Sequence, residues 1–296
     1  MHRSLLSLVA IALVAAMFGA GSAAAFPVAN VNQKPSQQVI GYWTSERMTQ
    51  ALPAGSDAPR VPAAKPQKGG GGASPGVSTE IPQPYPSAYG KVFFTSNSGV
   101  NYVCSGAAVI STNESVVWTA GHCVNEGPGA FYKNFLFVPA YRDGTAPYGK
   151  FAATTLLTTS GWQLSGEWGV DVGAAIVGKN DLGKTLSEAV DEAPLVFGAT
   201  RSQPYKIYGY PAAKKFSGQR MRVCETSWLM DDASPTPDTM GASCDMTGGS
   251  SGGPWVTSTG AVASVVSYGY RSLQNVLFGP HLESEAQSLY SAAASG

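Results

Sequence analysis

The amino-acid sequence predicts an all-β protein, a sandwich or a barrel. Three observations carry this. From about Tyr89 onward, short apolar or alternating runs recur with Gly, Asn, Asp or Pro between them. A hydrophobic content of 44% supplies a packed core for a chain of 296 residues. From Tyr89 onward, helical spacing is confined to the tail "LESEAQSLYSAA", where Leu282, Ala286 and Leu289 fall on one face.

Taken in order, the chain opens with His2 and Arg3, runs apolar from Leu5 to Phe18 and reaches small residues at Ala23, Ala24 and Ala25. These are the three parts of a secretory signal peptide, so residues 1–25 are expected to be removed after Ala25 and the protein to be secreted. The apolar run is about 14 residues, short of the ~20 that a spanning helix needs. Residues 26–80 read as a pro-segment or linker, because eight of the 20 prolines lie from Pro53 to Pro86 with the run Gly69 to Gly72 among them. The expectation is a piece that is processed away or hangs loosely.

The folded domain is placed at residues 81–296. Its strand-like runs are "KVFF", "YVCSGAAVI", "SVVWTA", "NFLFVPAY", "VGAAIV", "YKIYGYP", "RVCETSWLM", "GGPWVT" and "AVASVVSYGY". The stretch "DGTAPYG", residues 143–149, has Asp-Gly turn chemistry. The C-terminal α-helix is expected at about 282–294.

Charge is balanced at 19 basic and 19 acidic residues, and 13% of the chain is charged. That leaves no broad electrostatic footprint for nucleic acid or an anionic membrane. Export makes disulfides the natural reading of Cys104, Cys123, Cys224 and Cys244, which show no CxxC spacing. Of three connectivities, sequential pairing is the simplest. No metal-site spacing or phosphate loop appears, and no cofactor is expected.

A serine nucleophile needs a base that is neutral near pH 7. His122 and His281 are the histidines beyond the signal. His122 lies in "VVWTAGHCV", where an apolar strand ends in a small-residue turn beside Cys123; His281 has no such context and reads as a surface or helix-entry residue. Asp171 precedes the otherwise uncharged run "VGAAIV", where a buried carboxylate requires a partner, whereas Asp143 and Asp181 sit in polar, glycine-containing surroundings. The stretch "MTGGSSGGPW" offers two adjacent serines. Ser250 satisfies the G-x-S-x-G elbow of α/β-hydrolases, but that fold needs the order serine, acid, histidine, and no Asp or Glu lies between Ser250 and His281.

"TAGHC" at 119–123, "DVGAA" at 171–175 and "SSGGP" at 250–254 together resemble the chymotrypsin-like (trypsin-like) serine peptidases, in that family's order of His, Asp and Ser, over residues 88–294. The loop "FVPAYRDGTAPYGKF" further resembles the secreted bacterial branch that includes glutamyl endopeptidases. The resemblance implies two six-stranded antiparallel β-barrels, at about 88–190 and 191–280, with the site between them. It implies a His122, Asp171, Ser251 triad and an oxyanion hole from the Gly249 and Ser251 amides. Ser267, Tyr268 and Gly269 would hold the substrate, with Ser267 also supporting Asp171. Asp245, six residues before Ser251, is where members selecting Lys or Arg keep a carboxylate, so a preference for basic residues is one expectation. Val266 stands where glutamate-selecting relatives carry histidine.

Zymogen-type members carry Asp at the position of Ser250, paired with a freed N-terminal Ile or Val. This sequence has neither that Asp nor an Ile-Val-Gly-Gly start, so any control by residues 26–80 would act by blocking the site or assisting folding. The expected function is a secreted serine endopeptidase, acting alone on protein or peptide substrates. The alternative is a catalytically inactive binding or adhesion protein on the same fold.

Overall fold

The computed structural model describes residues 26–32, 34–54 and 76–296. The expected signal peptide, residues 1–25, lies outside the described residues. Six strands form the first barrel: β1 (Tyr89–Thr95), β2 (Asn101–Val109), β3 (Val116–Thr119), β4 (Lys133–Pro139), β5 (Phe151–Thr158) and β6 (Gly173–Val177). They pair antiparallel in the ring β1-β2-β3-β6-β5-β4, which closes where β4 returns to β1. Every residue of β1 and β3 is buried. This is why their sequences read as near-continuous apolar runs and not as alternations, since both faces are covered.

Six more strands form the second unit: β7 (Pro204–Gly209), β8 (Arg222–Asp232), β9 (Thr239–Ser243), β10 (Pro254–Val256), β11 (Val262–Val265) and β12 (Val276–Pro280). Their order is β11-β10-β7-β8-β9-β12, all antiparallel. No ladder joins β11 to β12, so the first barrel is closed and the second is a half-barrel. The seam between the units includes the Tyr89 and Tyr208 rings, 4.6 Å apart.

Disulfides join Cys104 to Cys123 and Cys224 to Cys244, the sequential pairing. The first ties β2 to the turn after β3. The C-terminal helix, Ser284–Ser295, buries Ala286, Leu289 and Ala293. Asn113 donates from Nδ2 to Ala293 O and Gly296 O and so satisfies carbonyls that a helix end leaves open. Among the described residues, no helix is long and apolar enough to cross a membrane.

The N-terminal portion differs from the expectation of a loose segment. A strand at Val28–Val31 pairs antiparallel with β5, helices follow at Ser36–Tyr42 and Ser45–Gln50, and Leu52–Pro53 pairs parallel with β2. Val39, Trp43 and Met48 are buried within the core, and Trp43 donates from Nε1 to Asn134 O at 2.6 Å. The physical reason is visible in retrospect. The Pro and Gly enrichment begins only at Pro53, while Val39, Ile40 and Trp43 recur at helical spacing ahead of it.

Candidate active site

His122 stands in a short 3-10 turn, Gly121–Cys123, that follows β3. Gly121 is required here by close approach: a Cβ would lie 2.8 Å from the Trp162 ring and 2.9 Å from Asp171 Oδ1. Cys123 anchors the turn through its disulfide. Asp171 ends a second 3-10 turn, Trp168–Val170, just ahead of β6. Since β3 and β6 are paired, with Thr119 opposite Gly173, the two turns emerge side by side at one end of the barrel.

The Asp171 carboxylate is fully buried, and a buried charge needs several donors. It has three. His122 Nδ1 lies 2.7 Å from Oδ2, the His122 backbone N–H donates to Oδ1 at 2.8 Å, and Ser267 Oγ donates to Oδ2 at 2.5 Å. An Nδ1–H facing the carboxylate leaves Nε2 with its lone pair. That Nε2 is buried and makes no hydrogen bond to another described group, and the same is true of Ser251 Oγ. The Trp162 and Trp168 rings stand 6.1 and 6.0 Å from the imidazole and wall it.

Ser251 lies between β9 and β10 in a loop with Gly249 at φ +94° and Gly252 at φ +76°. A side chain at Gly249 would meet Tyr210 O at 2.6 Å, and one at Gly252 would meet Thr119 Oγ1 at 2.0 Å. Glycine is the residue that tolerates both the backbone conformation and the crowding. The loop is held from both barrels: Ser105 N–H in β2 donates to Ser251 O at 2.7 Å, and Gly252 N–H donates to Val266 O at 2.7 Å. Ser250 is different from its neighbour, since its hydroxyl donates to Thr247 O at 2.7 Å.

Ser267, Tyr268 and Gly269 follow β11. The Tyr268 side chain faces the interior, where it stacks on Phe278 and its hydroxyl meets Thr239 Oγ1 at 2.6 Å and donates to Asp232 Oδ2 at 2.8 Å. What this stretch presents toward a ligand is therefore main chain. Asp245 is brought close in sequence to the loop but its oxygens are taken: Oδ1 accepts from Ser78 N–H and Oδ2 from Lys215 Nζ, both at 2.8 Å. Burial pushes its pKa up, and the bonds from Lys215 and Ser78 outweigh that and hold it below the usual carboxylate range. His281 sits apart at the entry to the C-terminal helix, between Glu283 Oε1 at 2.8 Å and Ala199 O at 2.6 Å.

Cys104, Cys123 and His122 lie close enough to suggest a metal centre, but both sulfurs are spent in a disulfide and offer no thiolate. The residues that sequence reasoning missed are Ser105, Trp162 and Trp168. Ser105 carried one signal, its place directly after Cys104; the tryptophans carried none beyond residue type.

No protein-family model and no curated protein matches the chain. Solved structures do. The protease Anisep of Arthrobacter nicotinovorans is 42% identical, with 74% of this chain and 100% of that chain covered and a TM-score of 0.70. A thermostable serine protease, AL20, from an extremophilic microorganism is also 42% identical, covering 71% of this chain and 97% of that one at a TM-score of 0.66. A Glu endopeptidase shares the fold at 18% identity and a TM-score of 0.61, with 74% and 97% covered. One closed barrel, one half-barrel and identity of this order along the full length of a solved protease place the chain in the chymotrypsin-like serine protease family.

Proposed function

We propose that the protein is a secreted serine endopeptidase that hydrolyses protein or peptide substrates through an acyl-enzyme. The observation that carries this reading is the buried Asp171–His122 pair at 2.7 Å, together with two buried atoms, His122 Nε2 and Ser251 Oγ, each of which makes no hydrogen bond among the described residues, to one another included, and so is free to engage a substrate. His122 Nε2 takes the Ser251 hydroxyl proton as Oγ bonds to the peptide carbonyl carbon. The Gly249 and Ser251 amides hold the resulting oxyanion, a donor set in which each member is worth about 3 kcal/mol of barrier. Asp171 keeps the imidazole in one tautomer and stabilises the imidazolium. The C–N bond then breaks as His122 returns the proton to the leaving amine, and water repeats the cycle on the ester.

Secretion is supported by two disulfides, which persist in oxidising compartments. The substrate reads as an extended peptide lying along the main chain of 267–269, the usual way an edge holds such a ligand. A preference for Lys or Arg requires Asp245 to release Lys215, so the geometry favours a pocket that does not select by that carboxylate. The protein is proposed to act alone.

The test is labelling of the secreted, processed protein with a fluorophosphonate. Label on Ser251, kept in Ser250→Ala and lost in Ser251→Ala and His122→Ala, is the expected result. No label on any folded form overturns the reading in favour of a binding protein on this fold.

A further inference from the structure

The edge of β2 that faces away from β1 is used in three consecutive ways. Ala107–Val109 pairs with β3, Ser105 N–H donates to Ser251 O, and Val103 O accepts from Ala54 N–H at 3.0 Å. Residues 103 and 105 point to the same edge because strand backbone groups alternate, and they are about 7 Å apart along it. The pair Leu52–Pro53 runs alongside Tyr102–Val103, so the N-terminal segment is docked two residues along the strand from Ser105, whose N–H holds the Ser251 carbonyl.

Ser251 is bracketed. Its own carbonyl is held by Ser105 in β2, and the next residue, Gly252, is held by Val266 ahead of the 267–269 stretch. A peptide crossing Ser251 with its acyl half along 267–269 must send its leaving-group half toward the β2 edge. That edge is filled by the protein's own chain. The filling is not a casual contact: Ala54 is 4% exposed, and the segment leading to it is anchored by Trp43 and Met48 in the core and by the Val28–Val31 strand on β5.

We propose that residues 26–54 are an inhibitor in cis, with Leu52–Ala54 occupying the strand edge that the leaving-group half of a peptide substrate requires. The proposal rests on the protease reading above. A tethered strand competes at millimolar effective concentration, so free substrate at ordinary levels does not displace it. At this edge the segment's bonds are made to Tyr102 and Val103 and not to Ser251 Oγ, so reaction of that oxygen with a small reagent does not depend on its release. Processing that releases the segment opens the edge, and this control needs no ion pair with a new N-terminus.

The experiment compares the intact chain from residue 26 with Ala54→Pro, which removes the N–H that bonds Val103 O, and with Trp43→Ala, which removes the buried anchor. Two rates are read: hydrolysis of an internally quenched peptide extending three residues past the cleaved bond, and labelling by a small fluorophosphonate. Intact mass confirms that the segment is uncut, and circular dichroism confirms folding. Expected is a five- to tenfold rise in kcat/KM for the peptide, the scale of one lost hydrogen bond or more, with an unchanged labelling rate. If Trp43→Ala fails to fold, Ala54→Pro decides alone. Unchanged peptide hydrolysis with normal labelling overturns the inhibitor and leaves the protease reading standing, as does an equal rise in both rates, which puts any block at the nucleophile instead. No labelling in any folded form overturns both.

Discussion

The Ser105 hydroxyl donates to Gly249 O at 2.9 Å and fixes the loop that would form the oxyanion hole. The same oxygen accepts from Tyr210 N–H at 2.9 Å, and the Ser105 backbone N–H holds Ser251 O. One residue of the first barrel thus sets the orientation of Gly249 in the second.

Ser105→Ala is therefore expected to lower kcat about tenfold with KM nearly unchanged, because it loosens a donor used in the transition state and not a ground-state contact. The buried Tyr210 N–H loses its partner, so the variant is also destabilised by about 1–3 kcal/mol. Steady-state kinetics on a peptide substrate and thermal unfolding check the two halves separately. A change confined to KM contradicts the positioning role.

Asp171 and Ser267 should separate by magnitude. Asp171→Asn alters the group that orients the imidazole and is expected to cost about 10³–10⁴-fold in kcat, whereas Ser267→Ala removes one of three donors to the carboxylate and costs about tenfold. Equal losses in the two variants would show that Ser267 does more than support Asp171.

The three catalytic candidates were legible because each lies in a short motif whose order and spacing survive in the sequence. The positions that hold them were not. Ser105 acts across the barrel seam on a loop 144 residues away, a contact that no local pattern encodes. Three strands also escaped the apolar-run reading. Phe151–Thr158 is diluted by Ala and Thr, Thr239–Ser243 is "TMGAS", and Val276–Pro280 ends in Gly-Pro. In Thr239–Ser243 the small residue is demanded by packing, since a Cβ on Gly241 would lie 2.7 Å from the Phe278 ring. Docking of residues 26–54 was masked by the proline-rich composition that follows it. The Asp232 cluster with Tyr268 and Tyr270 was invisible for the same reason as Ser105: it joins distant segments.

Gly252→Ala is expected to be severely destabilising. The φ of +76° disfavours a side chain, and the new methyl would sit 2.0 Å from Thr119 Oγ1 and 2.4 Å from Ser105 O, both buried. A loss of more than about 4 kcal/mol or failure to accumulate as folded protein is the predicted outcome. Gly260→Ala, with φ +85° but open space around it, provides the comparison and should cost much less. Similar losses for the two would show that backbone conformation, not crowding, sets the cost at residue 252.

Lys91 gives the fold a pH dependence of predictable sign. It lies within β1, 1% exposed, with Nζ donating to Gly218 O at 2.8 Å and standing over the Tyr141 and Phe93 rings at 4.6 and 5.0 Å. No carboxylate balances it in these contacts, and burial lowers its pKa from 10.5 to about 7. Between those values the folded protein holds the neutral amine while the unfolded chain binds the proton. Unfolding then takes up a proton, so this group adds stability as pH rises from about 7 to 10, by up to ~1.4 kcal/mol per pH unit. Below pH 7 both states are charged and the contribution is flat, at its least favourable. Lys91→Met removes the effect: the stability of the variant relative to the native protein should be greatest near pH 7 and decline steadily toward pH 10. Unfolding midpoints of both proteins in denaturant across that range measure the difference directly, and parallel curves would mean that Lys91 remains charged in the folded state.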